Sequence, residues 1–479
     1  MGSRVTARTA TDLRALAVAA IRRSQMLRGG ETVLIGVSGG ADSVALLEVF
    51  RSLAAEWQLT LRAVHVNHGL RAGAEADEDF VRGLCARWEV SLHVERVAVR
   101  QGPPWEGLEA EARRARYAAF RDVARRTGAQ RIATAHTADD QAETVLMRIL
   151  EGAGPRGLAG IAATRGMLIR PLLDARRADV EAHLRAREIP WVEDESNRDA
   201  RFLRNRLRHQ VLPFLAEAIE PSIVDRLIRS ARLVRSMVED LERAGGRELA
   251  RIGQRAPEGF IVSVADLSTL PHEVAMETVR QAARELGHSG SLRHHAHQSL
   301  RRLLAPHVPR AGFRVGGLIV ERSGRWLRVG PGHLPPLLPR DLRVPGEIAL
   351  PEIGSVLEAR CFSRPPGYVV PRESTRAAFD ADLMPERLQV RPRRAGDRFA
   401  PFAGPDERRL KSLFIDAGVP RWSRQRVPLL EAAGDIIWVA GIRRGRAAPI
   451  GPATQRILEV TLRSEPPCRS PLAGPARER

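Results

Sequence analysis

The sequence predicts a multidomain α/β protein whose first domain is built around a parallel β-sheet. Strand-like apolar runs alternate with helix-like patterns over the first two hundred residues. The pattern changes after Pro213, and short β-like runs dominate beyond Pro339. Because 479 residues exceed one ordinary hydrophobic core, we expect several domains.

The first domain, residues 1–215, is expected to contain four strand–helix units. The predicted strands are Thr32–Val37, Leu61–Val66, Leu92–Val97 and Arg131–Ala135. The predicted helices are Ser43–Leu53, Glu75–Trp88, Leu108–Thr127 and Asp139–Leu150. Repeated units of this kind form a parallel, Rossmann-like sheet with helices on both faces. Ligands of such sheets bind at the carboxyl ends of the strands.

A mainly helical second domain is expected over residues 216–335, and a small α+β domain over residues 336–465. Helical patterns cover Ser222–Glu248 and Pro271–Ala305, and Gly312–Arg328 is typical of a hairpin. The proline-rich stretch Pro331–Pro339 predicts a linker or rigid loop between the two domains. Residues 466–479 are rich in Pro, Ser and Arg, so we predict a disordered tail.

The charge of the chain favours a polyanionic partner. The formal net charge is +19, which suits nucleic acid. Genome bias is the alternative, because Lys411 is the only lysine and nearly every cation is an arginine. That bias accounts for arginine in place of lysine, but it does not account for the excess of basic over acidic residues.

Composition also limits the compartment and the redox chemistry. No apolar run approaches the roughly 20 residues that span a bilayer, and no secretory signal is visible, so we expect a cytoplasmic enzyme without membrane association. Cys85, Cys361 and Cys468 lie far apart in the sequence. Their spacing favours unpaired thiols over a zinc site, an iron–sulfur cluster or a disulfide framework.

The first chemical signal is the loop Val37–Ser43, between a predicted strand and a predicted helix. Gly39 and Gly40 let the backbone approach an anion, and Ser38, Ser43 and the helix N-terminal amides can donate to phosphate. The loop lacks the lysine of a Walker A motif. Because Asp42 would repel a bare phosphate, it suggests a magnesium-bound pyrophosphate. Taken alone, a tight turn capped by aspartate explains the loop equally well.

The second signal is the stretch His136–Glu143. If a helix begins near Asp139, Asp140 and Glu143 lie on one face, with His136 just before it. Helix capping is an alternative role for Asp139. A second carboxylate one turn further on is not needed for capping. The carboxylate pair could hold Mg²⁺, bind an ammonium group or accept a proton from an amine.

Together these signals resemble the PP-loop family, the N-type ATP-pyrophosphatases, and within it the branch of the tRNA(Ile)-lysidine synthetases. The PP-loop alone is specific only for the superfamily, whereas the C-terminal stretches are specific for the branch. The resemblance covers essentially residues 20–465. Beyond the loop, the similar stretches are His65–Arg71, Glu109–Tyr117, His136–Glu143, Gly152–Leu158, Arg170–Leu173, Trp191–Asn197, Arg204–Arg208, Arg391–Phe399, Lys411–Pro420 and Arg426–Leu430.

The resemblance implies the substrates ATP, L-lysine and a tRNA(Ile) with a CAU anticodon, with Mg²⁺ as cofactor. Lysine would be ligated to C2 of the wobble cytidine through an adenylated intermediate, which changes the codon read from AUG to AUA. The cofactor-binding residues would be Ser38, Gly39, Gly40, Ala41, Asp42, Ser43 and His65. The catalytic residues would be Asp42, Arg116, His136, Asp140, Glu143 and Arg208, with Asp42 and Asp140 also as metal ligands.

We expect residues 216–335 to form a linker and tRNA-binding domain and residues 336–465 a second tRNA-binding domain, whose cations contact tRNA phosphates. The candidates are Arg393, Arg394, Arg398 and Lys411, within a larger basic cluster that includes Arg391 and Arg444 beside Trp422 and Trp438. The alternative is a solvated basic surface with the tryptophans in a small core.

Three other functions compete with this interpretation. A tRNA-thiolating PP-loop ATPase generally carries cysteine pairs, and an amide synthetase needs neither the basic charge nor the C-terminal stretches. A catalytically inactive tRNA-binding relative would be expected to have lost one of Asp42, Asp140 or Glu143, which are all present. The sequence leaves open which carboxylate binds lysine and which binds metal. It also leaves open whether the protein is a monomer or a homodimer.

Overall fold

The computed structural model describes residues 12–69, 73–97, 108–193, 203–288, 294–306, 308, 310–404 and 407–464. The chain divides into two compact units, Met1–Glu239 and Asp240–Arg479. The two are called the first unit and the second unit below. The predicted tail, residues 466–479, lies outside the described residues. No helix of the described part is long and apolar enough to cross a membrane.

The first unit contains a six-stranded sheet with the strand order β3-β2-β1-β4-β6-β5. Its strands are β1 (Thr32–Gly36), β2 (Thr60–Asn67), β3 (Ser91–Arg96), β4 (Arg131–Ala133), β5 (Thr164–Arg165) and β6 (Leu168–Ile169). Its helices are α1 (Leu13–Arg23), α2 (Ala41–Leu53), α3 (Ala74–Arg87), α4 (Leu108–Thr127), α5 (Ala138–Leu150), α6 (Pro155–Leu158), α7 (Arg177–Arg185), α8 (Leu203–Arg206) and α9 (Leu212–Ala218), with a π-helical turn at Leu207–Val211. Strands β1, β2, β3, β4 and β6 pair in parallel, and β5 adds an antiparallel edge.

Both faces of this sheet are buried, as the continuous apolar run of β1 predicts. Val33 and Ile35 point to the face covered by α2, in a cluster that includes Phe50. Leu34 points to the opposite face, in a cluster with Phe120 of α4. The predicted Rossmann-like, doubly covered sheet is therefore confirmed. The carboxyl ends of β1, β2 and β4 lead into the predicted functional stretches.

The second unit begins within α10 (Ile223–Ile252) and first forms helices packed on an antiparallel sheet. The helices are α11 (Val264–Ser268), α12 (His272–Glu285) and α13 (His294–Leu304). The strands, in the sheet order β7-β8-β11-β10-β9, are β7 (Gln254–Ala256), β8 (Gly259–Ser263), β9 (Arg310–Val315), β10 (Leu318–Ser323) and β11 (Trp326–Pro331). The helical patterns are confirmed, whereas the predicted hairpin Gly312–Arg328 covers parts of three consecutive antiparallel strands, β9, β10 and β11, of this five-stranded sheet.

The remainder of the second unit is the predicted α+β region. It contains a five-stranded sheet ordered β12-β16-β19-β20-β21, a four-stranded sheet ordered β13-β14-β22-β15, and the pair β17-β18. The elements are β12 (Arg340–Arg343), β13 (Gly346–Leu350), β14 (Ser355–Ser363), β15 (Arg376–Asp380), β16 (Arg387–Arg391), β17 (Arg398–Phe399), β18 (Arg408–Arg409), α14 (Leu410–Asp416), β19 (Leu429–Ala432), β20 (Asp435–Val439), β21 (Arg443–Arg444) and β22 (Arg456–Ser464), with 3-10 turns at Pro351–Ile353 and Ala381–Leu383.

The proline-rich connection before β12 is packed against this region. Leu337 is 1% exposed and belongs to its hydrophobic core. Arg426 Nη1 donates a hydrogen bond of 3.0 Å to the carbonyl oxygen of Pro335. Residues 249–329 and 337–460 form separate hydrophobic clusters. The domain limits at residues 215 and 335 nevertheless stay predictions, because the division into compact units falls at residue 239.

Candidate active site

The loop from Val37 to Ser43 connects β1 to the first turn of α2. The Ser43 hydroxyl accepts a hydrogen bond of 3.0 Å from the Ser38 amide and donates one of 2.9 Å to the Gly40 carbonyl. Gly39 has φ +93°, a left-handed conformation that favours glycine. The N-cap residue Gly40 makes no side-chain cap. The Ser43 amide donates to the Gly40 carbonyl at 3.0 Å, which leaves the amides of Ala41 and Asp42 at the start of α2 without a capping side chain. Such amides form an anion-binding site.

His65 supports this loop from the neighbouring strand β2. Its side chain is buried, and Nδ1 lies 2.9 Å from the carbonyl oxygen of Val37. Because a carbonyl only accepts, Nδ1 must carry a proton. The structure therefore gives His65 a contact with the loop backbone.

Asp140 and Glu143 are both buried on α5, at 6% and 1% exposure. Asp140 completes a capping box, since its Oδ2 accepts a hydrogen bond of 2.8 Å from the Thr137 amide. Thr137 is thus the N-cap residue, Asp140 completes the capping box, and Asp139 does not cap the helix. Asp139 instead accepts a hydrogen bond of 2.7 Å from the amide of Arg177, at the start of α7.

Two arginines that follow α7 in the chain bind the pair of carboxylates. Arg204 donates to Glu143 Oε2 at 2.8 Å through Nε and to Asp140 Oδ1 at 3.0 Å through Nη2. Arg208 donates to Glu143 Oε1 at 2.6 Å and to Asp140 Oδ1 at 3.1 Å. Burial alone would raise the pKa of Asp140, but Arg204 and Arg177 outweigh it and hold that pKa below its usual range.

Arg177 connects this pair to the loop. Its Nη2 lies 3.4 Å from Asp42 Oδ2 and 3.4 Å from Asp140 Oδ1. Burial raises the pKa of Asp42 to about 6; Arg177 opposes this effect and the nearby Asp140 adds to it. The other oxygen of Asp42, Oδ1, is buried and has no hydrogen-bond partner.

These residues fit a magnesium ion. Mg²⁺ in nucleotide sites is held by one or two carboxylates together with substrate phosphates. The site offers an unpartnered carboxylate oxygen on Asp42, beside a phosphate-type loop and a second carboxylate on Asp140. Asp42 and Asp140 are therefore the residues that could hold such an ion.

Two of the histidines in the predicted functional stretches, His136 and His68, lie near arginines. Burial, with Arg170 as the next contribution, lowers the pKa of His136 to about 3. Burial and the charge of Arg116 lower the pKa of His68 to about 4, and His68 Nε2 lies 3.5 Å from Arg116 Nη2. Both imidazoles are consequently neutral near pH 7. The carboxylates of α5 are therefore accompanied by neutral imidazoles and by arginines, and arginines suit phosphate.

Comparison with known proteins identifies the family. Residues 13–215 match the PP-loop domain, and residues 388–460 match the TilS substrate C-terminal domain. The tRNA(Ile)-lysidine synthase of Symbiobacterium thermophilum is 36% identical over 472 residues, covering 93% of this chain and 96% of that protein. Those of Geobacter sulfurreducens and Solibacter usitatus are each 35% identical, over 91% of this chain and 94% and 100% of theirs.

This chain belongs to the tRNA(Ile)-lysidine synthase family. Among solved structures, a U34-tRNA thiolase from Methanococcus maripaludis aligns with 17% identity and a TM-score of 0.39, covering 46% of this chain and 78% of that one. That likeness adds nothing to the assignment, which rests on the sequence relatives.

The structure brings most of the predicted site residues of this lysidine synthase family member together in the first unit. Asp42, Asp140, Glu143 and Arg208 form one network of ion pairs. Sequence reasoning missed Arg177 and Arg204 as members. Arg204 could have been found, because it precedes Arg208 by four residues, a spacing that places two side chains on one helical face.

The predicted tRNA-binding cations lie around β17 and α14 of the second unit. Arg394, Arg398 and Lys411 are exposed and Arg393 is half-buried. Two members of the larger basic cluster are structural instead. Arg391 is 3% exposed and pairs with Asp397 and Glu431, and Arg444 lies over the rings of Phe379 and Phe402. Of the two tryptophans, Trp438 is fully buried in the core.

Proposed function

We propose that this protein ligates L-lysine to C2 of the wobble cytidine in the CAU anticodon of tRNA(Ile), with conversion of ATP to AMP and pyrophosphate. Family membership supports the reaction. The main structural support for this reaction is that one site contains both the PP-loop and the carboxylates of Asp140 and Glu143, which are bound by arginines. This reaction places the enzyme with its tRNA in the cytoplasm.

The first step activates a poor leaving group. O2 of the cytosine attacks the α-phosphorus of ATP, the O2–P bond forms, and the bond from the α-phosphorus to the bridging oxygen breaks to release pyrophosphate. Amides of Gly39, Gly40 and Ala41, with the hydroxyls of Ser38 and Ser43, hold the departing pyrophosphate. When bound, magnesium neutralises part of the pyrophosphate charge, at Asp42 and Asp140. Arg116 balances the negative charge that develops on the α-phosphate.

The second step joins lysine to the activated base. The ε-amine attacks C2, the C2–O2 bond breaks, AMP leaves, and the amine loses a proton. An ordinary lysine amine has a pKa near 10.4, so a carboxylate must first bind the ammonium form and then assist loss of the proton. Glu143 and Asp140 supply those carboxylates. His136, which is close enough to Asp140 to interact with its charge and is neutral near pH 7, orients the amine by accepting a hydrogen bond from it.

Lysine binding requires an exchange of cations. Each of the two carboxylates already accepts hydrogen bonds from Arg204 and Arg208. An ammonium group offers the same kind of charged donor, so lysine can replace one guanidinium group without leaving a buried carboxylate unpaired. An arginine released in this way is free to turn to the α-phosphate of the adenylated base, which is the role we assign to Arg208.

The cysteine of the first unit, Cys85, does not favour the alternative function, that of a tRNA-thiolating ATPase. Cys85 is buried on α3, and burial raises the pKa of its thiol to about 11. A thiol of that pKa supplies very little thiolate near neutral pH, so Cys85 is a poor carrier of sulfur.

Docking of the tRNA body involves the second unit. Arg393, Arg394, Arg398 and Lys411 contact backbone phosphates, which positions the cytidine and does not identify it. Their exposure supports this role. Arg398 Nε donates to Glu407 Oε2 at 2.7 Å, and Arg394 Nη2 donates to Gln389 Oε1 at 3.3 Å, so tRNA must compete with these contacts.

The two half-reactions give a direct test. ATP labelled at the α-phosphate is incubated with protein and tRNA(Ile) in the absence of lysine. We expect label on the tRNA and release of pyrophosphate, followed by release of labelled AMP when lysine is added. Release of label as ADP, or labelling that requires lysine, would contradict the proposed order.

A further inference from the structure

Two histidines and a glutamate cluster in the second unit, between the first turn of α12 and the helix α13. One ring nitrogen each of His272 and His297 and one carboxylate oxygen of Glu273 lie within 4.8 Å of one another. His297 Nδ1 is 3.7 Å from Glu273 Oε2, and the two imidazole rings have centroids 5.9 Å apart. The proposed ligation of lysine uses none of these side chains.

We propose that this cluster is a binding site for a divalent metal ion, with Zn²⁺ as the preferred ion. Zinc takes imidazole nitrogen and carboxylate oxygen at about 2.0–2.2 Å in a tetrahedral arrangement. Two such ligand atoms are therefore about 3.3 Å apart. The spacing of 3.7 Å between His297 and Glu273 is already close to this value, and the remaining adjustment is within the range of side-chain rotation. The three protein ligands leave the fourth position for water.

A second observation points to a missing partner at this place. The Nε2 atom of His272 is buried and has no hydrogen-bond partner. A buried polar atom without a partner costs free energy, so such atoms are rare in folded proteins. A metal ion bound through Nε2 would satisfy this atom of His272, which otherwise loses its contact with water without compensation.

The scaffold under the cluster is fixed by packing. Ala275 of α12 and Ala296 of α13 are both 1% exposed or less and belong to one hydrophobic cluster. The backbones that carry the three ligands are thus held in place, and only side chains need to move. A bound ion would join α12 to α13 and stabilise this part of the second unit.

The local charges set the expected affinity and selectivity. The positive end of α12 and the side chain of Arg301 both disfavour a cation, whereas the carboxylate of Glu273 attracts it. We therefore expect weaker binding than in a structural zinc site with four protein ligands. Imidazole ligands select Zn²⁺ over Mg²⁺, which prefers oxygen.

The test uses the full-length protein with the Asp42→Ala substitution, so that the carboxylate of the first unit cannot contribute. After treatment with chelator and dialysis, the protein is titrated with Zn²⁺ by calorimetry and with Co²⁺ by visible absorption. We expect one ion per chain, a tetrahedral Co²⁺ spectrum, and a melting temperature that rises with Zn²⁺ but not with Mg²⁺.

Substitutions assign the ligands. His272→Ala and His297→Ala should each weaken Zn²⁺ binding by about tenfold or more, and Glu273→Gln should weaken it while leaving the metal-free melting temperature unchanged. His295→Ala is the matched control, because His295 is an exposed histidine on the same helix and lies outside the cluster. Equal Zn²⁺ affinity in the control and in all three ligand variants, or a Co²⁺ spectrum that persists in them, would overturn the proposal.

Discussion

Replacing Arg177 with glutamine should move the acid limb of the pH–activity profile to higher pH. Arg177 lies 3.4 Å from Asp42 Oδ2, and its positive charge lowers the pKa of a carboxyl that burial raises to about 6. In the proposed reaction, Asp42 must be ionised to bind the magnesium–pyrophosphate group. Loss of Arg177 removes a stabilising charge from the ionised form, so the pKa of Asp42 should rise further.

The size of the effect follows from the titration. A nearby opposite charge lowers a carboxyl pKa by about 1 to 3 units, and Arg177 is partly exposed, so we take the lower limit and expect a pKa of about 7 in the variant. The ionised fraction of Asp42 then falls about fivefold at pH 6 and about twofold at pH 7, and it hardly changes at pH 8. The defect of Arg177→Gln should accordingly disappear as the pH rises.

Pyrophosphate release in the absence of lysine is the appropriate assay. If lysine were present, the titration of its own ε-amine would contribute to the pH profile and obscure that of Asp42. The kcat/KM for ATP is measured between about pH 5.5 and 8.5 at saturating tRNA and magnesium. Arg177→Lys keeps the charge and should retain the original profile. Arg176→Gln is a second control, since Arg176 pairs with Asp139 and Asp225. A defect of equal size at every pH, or the same shift in Arg176→Gln, would refute this reasoning.

Three further predictions concern single groups. Glu143→Gln should raise the KM for lysine by tenfold to hundredfold, because it removes one charge-assisted contact worth about 1.5–3 kcal/mol. If only the KM for ATP rises, Glu143 binds the metal and not lysine. Asp42→Ala should abolish turnover with little change in melting temperature, and near-normal turnover would remove Asp42 from the mechanism. Reversal of charge at Arg393 and Arg394 should weaken tRNA binding for matched and mismatched anticodons alike. The slope of log affinity against log salt concentration should fall by the amount expected for the loss of about two phosphate contacts. The same reversal at Arg456, an exposed arginine on β22, is the control, and equal effects at both places would indicate nonspecific charge.

The fold of the first unit could be predicted because its signals are local. The apolar run of β1 and the glycine loop after it determine a strand, a turn and a helix within about twenty residues. The five-stranded sheet of the second unit was harder, because β7 and β8 are short and β8 pairs with β11, which lies more than sixty residues further along the chain. Nothing in such short segments reveals their distant partner.

The acidic residues of the site could also be predicted, but not their partners. Asp140 and Glu143 follow from helical spacing, whereas Arg177 is one arginine among many in this basic chain. Its contact with Asp42 joins residues 135 positions apart, which depends on how α7 packs beside α2. For the same reason the burial of Arg391 between Asp397 and Glu431 could not be read from a run of basic residues.

The most direct test of the central claim is transfer of lysine to the anticodon. Protein, ATP, magnesium and isotopically labelled L-lysine are incubated with a tRNA(Ile) transcript that has a CAU anticodon, and with a transcript whose wobble cytidine is replaced by uridine. We predict label only in the first transcript, on the wobble nucleoside, with a mass gain of lysine minus water and one AMP formed per modified tRNA. Absence of label from the CAU transcript, equal label in both transcripts, or ADP formed in proportion to the modification would contradict the proposed function.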